Sequence, residues 1–210
     1  MGFFSNVLRN IEKESFRTYG FIDCLGHETC TPGAGPMGNI SERRDNAYEQ
    51  QRAFYTRYGK KHGLKSQCIL LPNGMIGHAF VHSISQNDRG FVNLSGIEEY
   101  LRGILIELRL GAAQLLPAIY GDSIYVPSEV IIMKTNDNGC LYNRRMNGLR
   151  TSIEHSFGLF NNLQKILSKT YVLKMLNKRG FIVKRILVYW IVLNCYTCLN
   201  ENTVSTMFDL

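Results

Sequence analysis

The sequence predicts a single α/β domain in which helices pack on a mixed sheet, and three observations carry that prediction. Strand-like and helically spaced runs follow one another in the order strand, hairpin, helix, strand, ambiguous element, helix, helix. A length of 210 residues suits one domain with a full core. A hydrophobic fraction of 45%, with 11 Phe, 11 Tyr and one Trp, fits a folded chain and excludes a disordered one.

Taken in order, residues 3–16 space Phe4, Val7, Leu8 and Ile11 for one face of a short helix. "YGFID" (19–23) reads as a short strand ending in an acid, and residues 27–46, rich in Gly, Pro and Asn, read as a loop. Residues 47–63 are polar and aromatic with little periodicity. Residues 64–84 read as two strands joined at Pro72-Asn73-Gly74, because Asn-Gly is a strong hairpin signal. Asn87 to Gly90 read as a loop. Residues 94–111 have helical spacing, with Ser95 and Glu98 matching a capping box. A short strand ends at Asp122, "SEVIIMK" (128–134) reads as either a strand or a short helix, and "TNDNG" (135–139) breaks the chain. Met146, Leu149, Ile153, Phe157, Phe160, Leu163 and Leu167 then form the buried stripe of a helix, with a last helix over about 180–200.

Net charge is +7, which suggests an anionic partner, and its distribution is uneven. Between Leu141 and Arg185 ten Lys or Arg face one acid, Glu154. The run "ILVYWIVLNCYTCL" (186–199) is 14 residues long and contains Asn194, so it reads as a buried core helix rather than a membrane span. No secretory signal is evident, and Asn6 stands where a myristoylation motif needs Ser or Thr. Of six cysteines, Cys195 and Cys198 read as core thiols, since no second CxxC completes a zinc site. Cys24 and Cys30 flank His27, a weak metal-site pattern.

Glu154 sits at the edge of its helix stripe, in a row with Arg150 and Gly158. Two readings stand side by side: a surface pair with Arg150 worth a few tenths of a kcal/mol, or a carboxylate presented to a metal. Asp23 and Asp122 each follow apolar strand-like runs. Carboxylates that approach each other repel unless a cation intervenes, and hard oxygen ligands select Mg²⁺ or Mn²⁺.

Four segments, "GFIDCLGHETCTP", "YGKKHGLKSQCILLPNGMIGH", "YGDSIY" and "NRRMNGLRTSIEHSFG", occur in the order found in one family. Through them the chain resembles the nuclease domain of Harbinger-type transposases, DDE-superfamily endonucleases with an RNase H-like fold. The likeness covers about residues 20–200, and it treats residues 1–210 as one endonuclease domain with its core at about 19–200. It implies a five-stranded mixed sheet, three strands antiparallel, flanked by helices. It also implies a catalytic and metal-binding triad of Asp23, Asp122 and Glu154, with Asp88 an accessory acid. The three carboxylates would lie within roughly 5–8 Å of one another and hold two Mg²⁺ or Mn²⁺ ions. Lys60, Lys61, Lys65, Arg144, Arg145, Arg150 and Lys165 would contact DNA phosphates, which position the duplex without reading its sequence.

The chain departs from the family at Cys24-Leu25, where Gly-Thr is usual, and the amino-terminal helix-turn-helix region of full transposases is not seen. The resemblance therefore implies either metal-dependent cleavage or strand transfer on DNA, or a catalytically silent domesticated domain that binds DNA or a protein. Implied partners are DNA and a separate DNA-binding protein, with a homodimer left open. A nuclear location is also implied, and no membrane.

Overall fold

The computed structural model describes residues 18–29, 48–49, 51–107, 118–133, 141–163 and 179–200. The predicted helix at 3–16, most of the loop before residue 46 and the break at 135–139 lie outside them, as do Cys30 and Lys165.

A mixed sheet forms the centre. Strand β1 (Thr18–Thr29) pairs antiparallel with β3 (Lys61–Leu70), which pairs antiparallel in turn with β4 (Ile76–Ser83). The two-residue β2 (Tyr55–Thr56) pairs with the start of β3. On its other side β1 runs parallel to β5 (Ala118–Gly121), which runs parallel to β6 (Ile131–Met133). The ambiguous segment is thus a strand. The β3–β4 connection is the predicted hairpin: Gly74 takes φ 80°, and Asn73 Oδ1 accepts from Met75 N at 3.1 Å.

Side-chain alternation along β1 builds two cores. Phe21 faces helices α3 (Leu141–Leu163) and α4 (Arg179–Leu199), with Leu64, Cys68, Leu70, Tyr120, Met146, Ile153, Phe157, Phe160 and Trp190. Ile22 faces α1 (Asp88–Ser95) and α2 (Ile97–Glu107), with Ile69, Val92, Ile97, Ile119 and Tyr125. Helices therefore cover both faces of the sheet, as a sheet with two apolar faces requires.

Several predicted boundaries move. Strand β1 is 12 residues long, so "GHET" continues the strand and Asp23 lies within it. The antiparallel partner β3 supplies a ladder out to Thr29, which local composition could not reveal. Asn87 to Gly90 start a helix instead of a loop, because the Asn87 side chain accepts from Gly90 N at 2.7 Å and caps α1. The capping box at Ser95 does not form. Ser95 ends α1, its hydroxyl donates to Gln67 Oε1 at 2.8 Å, and Gly96 at φ 61° separates the helices.

Helix α4 is longer than its apolar run, and Gly180–Leu199 is long and apolar enough to cross a membrane by length and composition alone. It packs one face into the protein, through Ile182, Ile186, Trp190 and Leu193. Asn194 Oδ1 accepts from Ile76 N at 2.8 Å and its Nδ2 donates to Ile76 O at 2.9 Å. The opposite face, with Phe181, Val188, Ile191 and Leu199, is exposed. Cys195 and Cys198 share that exposure, which corrects their reading as core thiols.

His27 and Cys24 do not converge on one site. Three residues from Cys24 on a strand, His27 points to the opposite face and is buried, with Nε2 2.6 Å from Ser66 Oγ and its ring 5.4 Å from Phe160. Burial lowers its pKa from 6.5 to about 3. A depressed histidine contributes stability above its unfolded value, and that contribution is lost as pH falls from about 6.5 toward 3. Each unit in this window should remove about 1.4 kcal/mol. Melting temperatures of wild type and His27→Leu between pH 7.5 and 4.5 check this: the wild type should lose stability more steeply. Parallel curves would show that His27 takes up no proton on unfolding.

Candidate active site

The parallel ladder of β1 and β5 ends at the pair Phe21–Tyr120. Two residues further along each strand come Asp23 and Asp122, so the two acids leave neighbouring strands at matching heights. Alternation puts Asp23 on the Phe21 face, toward α3.

Asp122 is fixed by a tight turn after β5. Its carboxylate accepts from Ser123 N at 2.6 Å, and its carbonyl accepts from Tyr125 N at 3.1 Å. The turn folds the Tyr125 ring back over Gly121, where an added Cβ would sit 2.6 Å from that ring and 2.9 Å from Ile22. Only glycine fits beneath the tyrosine, which gives "YGDSIY" a local physical reason. The Tyr125 hydroxyl lies 3.6 Å from Cys24 Sγ, and burial raises the pKa of both groups. Burial thus disfavours the Cys24 thiolate.

Helix α3 meets the acids through Arg150. Its Nη1 donates to Asp23 Oδ2 at 2.8 Å and its Nη2 to Glu154 Oε1 at 3.3 Å. The surface-pair reading of Glu154 is realised: it pairs with Arg150, and the same guanidinium also holds Asp23. The Glu154 side chain is 55% exposed. It borders a cleft of about 480 Å³ shared with Thr151, His155 and Gly158, where open space lies above Gly158.

Asp23 is the electrostatic centre. Its pKa is raised, first by burial, with the charges of Asp88 and Asp122 pushing the same way. The Cys24 amide, which donates to Asp23 Oδ1 at 2.8 Å, and the Arg150 charge oppose this and do not overcome it. Asp88 itself is held by Lys65, whose Nζ donates to Asp88 Oδ1 at 2.8 Å and to Gln86 O at 3.0 Å.

Among the described residues no group of three or more His, Cys, Asp or Glu side chains is placed to hold a metal ion. The expected three-carboxylate cluster is therefore not assembled, because the Arg150 guanidinium bridges Asp23 and Glu154. The predicted DNA contacts divide in the same way. Lys65 and Arg150 are engaged with acids, Lys60 and Arg144 are exposed, and Lys61 is half-buried. The side chain of Arg145 and all of Lys165 lie outside the described residues. The Arg150–Asp23 link, spanning 127 residues of sequence, was not anticipated. The only sequence signal was Arg150 four residues before Glu154.

No protein-family model matches the chain, and neither a curated protein nor a solved structure matches it.

Proposed function

We propose that this chain is a DDE-type nuclease domain of Harbinger-like kind, with an RNase H-like core that cleaves or joins DNA phosphodiesters with divalent metal. The observation that carries this reading is the placement of Asp23 and Asp122 at matching heights on adjacent parallel strands, with the Glu154 helix tied to Asp23. The strand directions, with β3 antiparallel to β1, β2 and β4 and with β5 and β6 parallel to β1, support the same core.

The donor chemistry fits a hard cation. Asp23 is disfavoured as an anion by burial and by two neighbouring carboxylates, and a divalent ion relieves both effects. Asp23 and Asp122 would hold it, with Glu154 available once Arg150 releases it. When bound, Mg²⁺ or Mn²⁺ supplies Lewis-acid polarisation of the phosphodiester and an acidified water. The chain's own residues do the positioning. Lys65 restrains Asp88 beside the site, and the Tyr125 turn fixes Asp122. Arg150 carries a fork suited to a phosphate, so a DNA backbone offers it another anion to grip bidentately in place of a carboxylate. Exposed Lys60 and Arg144, with Lys61, extend the positive surface. A nuclear location and a separate DNA-binding partner belong to this reading.

The second reading is a catalytically silent binding module. The Arg150 bridge favours it, because one arginine already pairs with two of the acids. Calorimetric titration with Mn²⁺ separates the two. The wild type should bind Mn²⁺, and Asp122→Asn and Glu154→Gln should each weaken binding by about tenfold or more, at least as much as losing a residue that merely supports a ligand. Absent Mn²⁺ binding in the wild type would favour the silent module.

A further inference from the structure

The hairpin that joins β2 to β3 carries an exposed aromatic surface. Tyr58 at its tip is 93% exposed, and Tyr48 and Tyr55 are 67% and 37% exposed. Together with Arg52, Arg57 and His62 they line a groove of about 880 Å³. No acid lines it among the described residues. The Tyr55 and His62 rings lie 5.1 Å apart across the β2–β3 pair, so two of the walls are held by the sheet.

The tip is built by backbone conformation. Gly59 and Lys60 both take positive φ, 81° and 50°, and Lys60 N donates to Arg57 O at 3.4 Å. Left-handed geometry is unfavourable for a lysine, and here it closes the loop that presents Tyr58 outward. Exposed tyrosine rings are apolar surface that a packed core does not use. Beside two arginines they offer flat π faces and phosphate-binding forks at once.

We propose that this groove binds single-stranded DNA, with unpaired bases stacking on the tyrosines while Arg52 and Arg57 hold the backbone. A duplex hides its base faces in the stack, so the aromatic half of the groove favours an unpaired strand. His62 lies six residues along β3 from Cys68, the partner of Asp23, which places the groove about 20 Å from that acid at the rise of an extended strand. Binding there needs neither metal nor the three acids, so it stands apart from the nuclease reading.

The test is fluorescence anisotropy with a labelled oligothymidine of about 20 nucleotides and a blunt duplex of equal length, both in EDTA. The wild type should bind the single strand more tightly than the duplex. Tyr58→Ala, at a position too exposed to disturb folding, should weaken single-strand binding about tenfold, and Tyr58→Trp should restore it. Arg52→Gln and Arg57→Gln should each flatten the slope of log affinity against log salt by about 0.7. Unchanged affinity in Tyr58→Ala overturns the proposal, because the binding would then come from cations elsewhere. Absence of binding by the wild type also overturns it and points to a protein partner.

Discussion

Under the proposed nuclease reading, Asp23→Asn should abolish metal-dependent DNA cleavage while leaving the protein as stable as before, or slightly more so. Asparagine keeps the shape of the side chain and an oxygen for the Cys24 amide, but it removes the charge a hard cation requires. A lost metal ligand removes several kcal/mol of transition-state stabilisation, and each 1.36 kcal/mol is tenfold in rate. The loss should therefore reach about a thousandfold or more in a plasmid-nicking assay with Mn²⁺.

Stability should move the other way. Burial raises the Asp23 pKa above 3.8 even with Arg150 alongside, so the folded protein binds that proton more tightly than the unfolded chain does. The contribution of this group to stability grows as pH falls through its raised pKa, opposite in sign to that of His27. Neutralising it at pH 7 removes a strained charge. A variant that cleaves normally, or one that unfolds several degrees earlier than wild type, would count against the assignment.

Trp190→Ala should be the most damaging of the core truncations. The indole is 2% exposed and stacks on Phe160 at 3.7 Å with an interplanar angle of 23°. It also meets Phe157 edge-on at 6.0 Å, and its Nε1 donates to Ser66 Oγ at 3.3 Å. Removing it leaves a cavity between α3, α4 and the sheet and takes one partner from a serine that also serves His27. Large-to-small changes of this kind cost about 3–5 kcal/mol, a large share of the roughly 5–15 kcal/mol that holds a domain folded. Urea unfolding checks it: the midpoint should fall sharply, while Trp190→Phe, which keeps an aromatic ring, should lose much less. A small shift in the alanine variant would mean that α4 contributes little to the cooperative unit.

Features that depend on a few adjacent residues were legible in the sequence. The Asn73-Gly74 hairpin and the Met146–Phe160 stripe are local patterns, and both appear in the fold. Features decided by a partner elsewhere in the chain were not. Strand β1 runs six residues past Asp23 because β3 lies beside it, and Ser95 turns to Gln67 instead of capping a helix. The exposed cysteines of α4 were misread because helix periodicity does not say which face meets the sheet. At the candidate site, the matching heights of Asp23 and Asp122 depend on β1–β5 register. The Arg150 bridge depends on where α3 crosses β1, and neither is written in a local pattern.

Asn194 carries a consequence beyond its hydrogen bonds. Among the described residues β4 has a strand on one side only, and an open strand edge is a template on which another chain can add. The Asn194 carboxamide offers Ile76 one acceptor and one donor, as a peptide group on a neighbouring strand would. One side chain from a helix thus takes the place of the first residue of an intruding strand. Asn194→Leu would preserve the apolar character of α4 and reopen that edge. Its signature should be concentration-dependent, thioflavin-positive aggregation of protein that is otherwise folded.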